Sequence, residues 1–332
     1  MKQRQLGRTG LRVSRLGLGT MTWGRDTPAE DASAQLSAFV GAGGTLVDTA
    51  DTYADGDSER LLGALLDRVV ARTDLVLATK AGATGSDGSG SARRNASRRH
   101  LLDTLDASLD RLNTDHVDLW QLHEWDAATP LEETLAAADE AVASGRAHYV
   151  GASNYAAWQL AKAATWQRAW PGRAPIASVQ AEYSLLARSG EREMVPAAAD
   201  LGVGVLAWSP LGRGVLTGKY RAAVPPDSRA AAPHLAEFVR PYLDGRARRV
   251  VESVVTAADG LGASPLAVAL SWIRDNPGVT AAIVGTRTSG QLLEVLEAEE
   301  LTLPREIRDA LDDVSGVPAA ERNGTAPDAP PG

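Results

Sequence analysis

Four residues at or just past the ends of apolar runs are of types that could do chemistry together. In "TLVDTADTYADG" (45–56) the apolar stretch stops at Asp48, and Tyr53 follows five residues later. "LVLATK" (75–80) ends in Lys80, and "HVDLWQLH" (116–123) ends in His123. A carboxylate beside an ammonium makes one paired buried charge in place of two costly ones. An ammonium near a phenol is expected to pull the phenol pKa down from about 10. That makes tyrosine a usable general acid at neutral pH. A histidine in reach of the same carbonyl oxygen could orient it. Such a set suits giving a proton to a carbonyl oxygen while something else attacks the carbon.

Each residue also has a plainer reading. A lysine at a strand end ordinarily snorkels to the surface. Here, however, only four of 34 basic residues are lysines, Lys2, Lys80, Lys162 and Lys219, so Lys80 is an exception in a chain that writes positive charge as arginine. Lysine is also the cation whose pKa moves readily on burial. Of five histidines, His116 and His148 lie at strand starts, His100 in a helical pattern and His234 in a loop. Only His123 ends a strand.

The elements that must position these groups alternate. Strand-like runs fall at 14–20, 45–49, 75–80, 116–123, 148–154, 178–184, 203–210 and 280–286. Helical patterns lie between them. "TPAE" (27–30) and "TPLE" (129–132) place Thr27 and Thr129 at N-caps with proline at the first helical position, and "SPLA" (264–267) shares the first half of that signal. Helix stops are expected at Gly41 to Gly44, Gly145, Gly202 and Gly260. Eight strands alternating with helices indicate a parallel α/β fold, and eight is the number that closes a (β/α)8 TIM barrel. An open doubly wound sheet has the same alternation. Against it, "GLGTMT" (17–22) carries Gly17 and Gly19 but no third glycine of a dinucleotide fingerprint. In a barrel the strand C-termini carry the chemistry, and three successive strand ends supply all four residues above.

Residues 1–14 read as a short hairpin, 211–243 as a long Gly-, Pro-, Arg- and Ala-rich loop, and 316–332 as a disordered tail, leaving 1–315 as one barrel domain. The chain has 332 residues, 44% hydrophobic and 23% charged, enough for a large core. Its net charge of −8 argues against a nucleic-acid or membrane partner held by bulk electrostatics. No cysteine is present, which excludes disulfides, thiolate metal sites and cysteine nucleophiles and fits a cytoplasmic setting. Neither a signal peptide nor an apolar run of about 20 residues is evident, and no metal-ligand set competes with the four residues.

At these residues the chain resembles the aldo-keto reductase superfamily, in particular the bacterial branch that is itself similar to potassium-channel β subunits. The resemblance rests on "GLGTMTWG" (17–24), "DTADTYADGDSERLLGALL" (48–66), "ATKAG" (78–82), "HVDLWQLH", "VGASNY" (150–155), "VQAEYS" (179–184), "SPLGRGVLTGKY" (209–220) and "IVGTRTSGQL" (283–292). It implies a (β/α)8 barrel with an N-terminal hairpin closing the base, and NADPH bound without a Rossmann motif. It assigns proton donation to Tyr53, tuning to Asp48 and Lys80, and carbonyl positioning to His123. It implies that Ser153, Asn154 and Gln180 hold the carboxamide and that Trp208 stacks on the nicotinamide, where many relatives carry tyrosine. Ser209, Pro210, Leu211, Gly212 and Gly214 would cradle the pyrophosphate, with Gly212 and Gly214 allowing close approach. Arg287 would pair with the 2′-phosphate, and Gln291 and Glu294 would meet the adenosine. Gly19, Thr20, Met21, Lys219, Gly285 and Thr286 complete the implied cofactor contacts. "TSGQ" (288–291) reads equally as a helix start. Relatives often carry asparagine where this chain has Val295, so an adenine hydrogen bond is expected to be missing. Trp23, Trp125 and the 211–243 loop would line a pocket for a small carbonyl substrate. Two other functions use the same residues: a Schiff-base lyase with Lys80 as nucleophile, and an NADPH-sensing accessory subunit.

Overall fold

A computed structural model describes residues 1–86 and 92–316. Two short strands, β1 (Gln3–Gln5) and β2 (Arg12–Ser14), form an antiparallel hairpin. Eight further strands close a parallel barrel: β3 (Leu16–Gly19), β4 (Leu46–Asp48), β5 (Val76–Ala81), β8 (Val117–Leu122), β9 (Ala147–Ser153), β10 (Ile176–Glu182), β11 (Gly204–Trp208) and β12 (Ala281–Val284). A small hairpin of β6 (Ala83–Ser86) and β7 (Ala92–Arg94) stands on the loop after β5. The helices are α1 (Ala29–Gly41), α2 (Asp57–Leu65), α3 (Arg98–Leu112), α4 (Leu131–Ala143), α5 (Ala157–Arg168), α6 (Met194–Leu201), α7 (Pro233–Val239), α8 (Gly245–Leu261), α9 (Pro265–Arg274), α10 (Ser289–Glu297) and α11 (Arg305–Ser315). The fold is a (β/α)8 TIM barrel. Among the described residues no single helix is long and apolar enough to cross a membrane.

The period of two along each strand separates two cores. Leu46, Val76, Ala78, Leu119, Leu206, Ala281 and Ile283 point inward and fill the lumen together with Leu6 and Val13 of the N-terminal hairpin, which plugs the base. The alternate positions face the helices and join the larger outer core. The two glycines of "GLGT" serve this packing. A Cβ on Gly17 would stand 2.5 Å from Ile283 Cδ1, so β3 must present glycine to the lumen.

The same parity carries polar groups to the top of the lumen. Two residues after Leu46 comes Asp48; two after Ala78 comes Lys80; two after Leu119 comes Gln121, and His123 continues that row just past β8. A register shift between Ile176 and Ser178 of β10 moves the inward row by one, from Ala177 to Gln180.

Several local expectations are corrected. Thr27 and Thr129 are not caps: α1 and α4 are preceded by Pro28 and Pro130, and the hydroxyls bond instead to Thr22 Oγ1 (2.9 Å) and Asp126 Oδ2 (2.7 Å). Ser264 and Thr288 do cap, accepting from the amides of Ala267 and Gln291. Gly260 lies inside α8, and Gly262, at φ 61°, takes the left-handed stop. His234 lies within α7. The 211–243 segment is organised: a short turn (Gly212–Thr217), α7, and a second turn (Arg240–Tyr242). Arg213 pins it, pairing with both carboxylate oxygens of Glu182 (2.9 and 2.8 Å), donating to the Phe238 carbonyl, and stacking 3.8 Å from the Phe238 ring centroid. Of the expected tail, Gly316 follows α11 and the remainder lies outside the described residues.

Candidate active site

The loop after β4 turns tightly before α2. Ala54 (φ 48°), Asp55 (φ 54°) and Gly56 (φ 88°) adopt left-handed backbone in succession, which swings Tyr53 back over the strand ends. Strain at non-glycine positions of this kind persists only where surrounding structure enforces it. The result is a compact junction. Lys80 Nζ donates to Asp48 Oδ2 (2.6 Å), to the Thr49 carbonyl (2.8 Å) and to Tyr53 Oη (3.1 Å). Asp48 Oδ1 accepts from the amides of Gln121 (3.0 Å) and Gln180 (2.8 Å). Asp48 and Lys80 are almost completely buried, so the pair is stable only because each remaining hydrogen-bonding site is filled.

The electrostatics correct one expectation. Burial raises the Tyr53 phenol above its ordinary range, and Lys80 only partly offsets this. Tyr53 therefore keeps its proton throughout the neutral range, and its pKa is not shifted toward acid as the sequence suggested. For Lys80, burial opposes the charge but Asp48 and Tyr53 outweigh it, and the ammonium is held above its usual value. His123 is pushed down to about 3, first by burial and then by Lys80, so it is neutral at physiological pH. Its ring stands edge-on to Tyr53 with centroids 6.2 Å apart, and its Nδ1 is buried without a partner. Asp51, in the turn between β4 and α2, is a mostly buried carboxylic acid. Burial and then Glu59 raise it to about 7.

Tyr53 and His123 form one end of a cavity of about 580 Å³. Its wall carries most of the residues singled out from the sequence: Gly19, Met21, Asp48, Ser153, Asn154, Gln180, Trp208, Ser209, Pro210, Leu211, Gly214, Lys219, Gly285, Thr286, Arg287, Gln291 and Glu294. Trp208 stacks on Phe238 at 15° with centroids 6.4 Å apart, and its indole donates to Asn154 Oδ1 (3.0 Å). Asn154 in turn donates to the His123 carbonyl (3.2 Å). Asn154 (φ 56°) and Ser209 (φ 51°) both leave their strands in left-handed backbone. Val295, also in the wall, is apolar there as expected.

Other expected residues lie elsewhere. Trp23 is wholly buried, donates to Gln35 Oε1 (3.1 Å) and belongs to the outer core. Trp125 packs edge-on against Tyr155 and Trp158. Among the described residues neither indole lines the cavity. Thr20 is buried beneath it, bonded to the Asp48 carbonyl and to Ser58. Gly212 is buried too. Its left-handed φ of 54° and a Cβ position 2.7 Å from Leu186 Cδ1 account for the glycine, so packing and not phosphate approach is its role. Lys80 acts from behind Asp48 and Tyr53 rather than in the wall.

Three residues went unread in the sequence. Gln121 was signalled only by being polar at an inward position of an apolar strand. Phe238 and Arg229 come from the long segment, whose folding across the barrel no periodicity announces. Arg229 donates to the Gly285 carbonyl (3.0 Å) beside Arg287 and Lys219. Burial and then Arg287 lower Arg229; partial burial and then Arg229 and Arg287 lower Lys219. Three cations crowded at the far end of the cavity make a place for an anion.

Comparison with known proteins agrees with this geometry. The family model described as "Aldo/keto reductase family" matches residues 15–315. The chain is similar to the uncharacterised oxidoreductase YrpG of Bacillus subtilis (strain 168), 37% identical over 97% of this chain and 98% of that one. It is also similar to probable voltage-gated potassium channel β subunits of Oryza sativa subsp. japonica (35% identical, 96% of each chain) and Arabidopsis thaliana (34% identical, 91% of this chain and 92% of that one). With a family match over nearly its whole length, a closed eight-stranded barrel and an acid–ammonium–phenol junction at the strand ends, the chain belongs to the aldo/keto reductase family of oxidoreductases.

Proposed function

We propose that this protein reduces aldehydes or ketones to alcohols with NADPH, and that Tyr53 is the general acid. The observation that carries the reading is the Lys80–Tyr53 hydrogen bond at the end of the cavity. The cofactor fits the residues present. The cavity joins a proton-donating junction at one end to Lys219, Arg229 and Arg287 at the other, and Gly214, at φ 91°, keeps the wall thin beside Lys219. When bound, the reduced nicotinamide supplies the hydride to the carbonyl carbon.

The rest is the work of the chain's own side chains. Tyr53 gives its hydroxyl proton to the carbonyl oxygen. Lys80 then stands 3.1 Å from the phenolate oxygen left behind, and Asp48 keeps Lys80 charged in a buried setting. Gln121 and Gln180 fix the Asp48 carboxylate so that it cannot turn toward the phenol. Neutral His123 carries one N–H and orients the carbonyl without competing as an acid. Trp208 and Phe238 form an apolar wall, and beside such a wall each hydrogen bond to the developing charge counts for more than in bulk water.

Arg229, Arg287 and Lys219 support NADPH over NADH, since a 2′-phosphate relieves their mutual repulsion. The test is a panel of carbonyl substrates assayed with NADPH and NADH side by side. A Schiff-base role for Lys80 is weighed down by its raised pKa and its three occupied hydrogen bonds, because a nucleophilic amine must be neutral. A second reading draws on the two relatives named as potassium-channel β subunits: an accessory subunit that senses NADPH. A stable partner recovered with the protein, together with negligible turnover on the panel, would favour it.

A further inference from the structure

We propose that His116, Asp118 and His148 form a binding site for a late first-row divalent cation, of the Zn²⁺, Ni²⁺ or Cu²⁺ class, at the base of the barrel. This is the end opposite the cavity, and the inference goes beyond the reductase reading. Strand parity builds the site. His116 immediately precedes β8 and Asp118 is two residues on, so both lie on the strand's outer face. The parallel register pairs Val117 with Ala147 and Leu119 with Tyr149, which sets Asp118 abreast of His148 on β9. One ligand atom from each of the three residues lies within 4.8 Å of the others, and among the described residues this is the only such group.

The surrounding bonds leave the needed atoms available. Asp118 Oδ2 accepts from the Leu77 amide (2.9 Å) and pairs with Arg72 (2.8 Å), which fixes the carboxylate. Its Oδ1 stands 3.6 Å from His148 Nδ1, too long for a hydrogen bond. Donors on a tetrahedral ion with bonds of about 2.0–2.2 Å sit about 3.3–3.6 Å apart, so that pair is already spaced for an ion. His116 Nδ1 is bonded to Asp115 Oδ1 (2.6 Å), leaving Nε2 as the nitrogen able to ligate. A carboxylate on the far nitrogen of a ligating imidazole fixes its tautomer and raises its basicity. The two imidazoles lie with centroids 4.4 Å apart and planes at 33°, so a small rotation of the half-exposed His148 brings the third donor in. Two imidazoles and one carboxylate favour this class of ion over Mg²⁺ or Ca²⁺, which take all-oxygen sets. The fourth position is left to water. Arg72 beside Asp118 weakens the electrostatic draw, which makes this a site of moderate affinity.

The test is calorimetric titration of the untagged full-length protein with Zn²⁺, with thermal unfolding followed in parallel. The chain has no cysteine, so no thiolate competes for the metal. The expected result is saturable 1:1 binding and a Tm that rises with Zn²⁺ concentration. His148→Ala and His116→Ala should each lower affinity at least tenfold, and His234→Ala should leave it unchanged. Both key histidines are partly exposed at the surface, so the variants should keep the parent's Tm without metal. Absence of saturable binding, or binding that persists at parental affinity in His148→Ala, overturns the proposal. NADPH-dependent turnover is not the readout, so failure here leaves the reductase reading standing.

Discussion

Lys80 Nζ donates to Tyr53 Oη across 3.1 Å while its other hydrogens are held by Asp48 and the Thr49 carbonyl. The phenol oxygen thus accepts from Lys80, and its own hydrogen is the one to give away. Burial keeps that hydrogen in place at neutral pH. On the proposed mechanism the junction gives up that hydrogen, and Lys80 holds the anion that donation leaves.

Because Asp48 and Lys80 are buried together, neither tolerates the loss of the other. Lys80→Met and Asp48→Asn should each destabilise the fold by about 3–5 kcal/mol, the cost of stranding a buried charge or its partners. The double variant should lose clearly less than the sum. Urea unfolding of the four proteins measures this coupling, and strictly additive losses would mean the pair is not the stabilising unit.

His123 is neutral in the fold, with a pKa of about 3 against about 6.5 when unfolded. The unfolded chain binds the extra proton, so the stability contribution is complete above about pH 6.5 and declines as pH falls toward 3. At pH 5 the loss is on the order of 1–2 kcal/mol. Comparing unfolding midpoints at pH 7.5 and 5 in the parent and in His123→Asn checks it: the variant should lose less on acidification.

Asp51 carries the opposite sign. Its folded pKa of about 7 lies above the unfolded value, so its contribution is present at acid pH and is lost as pH rises through about 7. Glu59 opposes its charge, and Arg111 and Lys80 favour it less strongly than burial resists it. Asp51→Asn should therefore be more stable than the parent at pH 8, on the order of 1–2 kcal/mol, and no more stable at pH 4. Equal effects at both pH values would remove the titration from the explanation.

On the proposed function, the three-cation end of the cavity would set a preference for NADPH. Arg229→Ala should raise KM for NADPH by roughly tenfold to a hundredfold, the worth of a charge-assisted hydrogen bond of about 1.5–3 kcal/mol, while KM for NADH changes little. Steady-state kinetics with both cofactors decides it; a parallel loss for NADH would assign Arg229 to loop structure.

What the sequence revealed follows from local physics. The eight strands and the inward row Asp48, Lys80, His123 were legible because strand parity and abrupt polar endings are local. The N-terminal hairpin was legible from apolar arms around a glycine-containing turn, also a local signal, while its place at the base came from the family resemblance. The caps at Thr27 and Thr129 were misread because a hydroxyl next to a proline-led helix can choose a side chain partner, Thr22 or Asp126, that is not the expected amide. Trp23 looked like a pocket residue only because it sits in a glycine-rich loop, and its burial on Gln35 is a tertiary event. The direction of the Tyr53 shift depends on how deeply the ring is buried, which spacing does not encode. Arg229 and Phe238 reach the cavity through a long segment pinned by Arg213 to Glu182, a contact between residues 31 positions apart.

The most direct test of the central claim is Tyr53→Phe, assayed for carbonyl reduction by NADPH alongside NADPH binding by fluorescence titration. The substitution removes one oxygen and keeps the ring against Lys80 and His123. The expected result is a fall in kcat of about 10²–10⁴-fold with NADPH affinity within twofold of the parent. Parental kcat in Tyr53→Phe would contradict the assignment of Tyr53 as the proton donor.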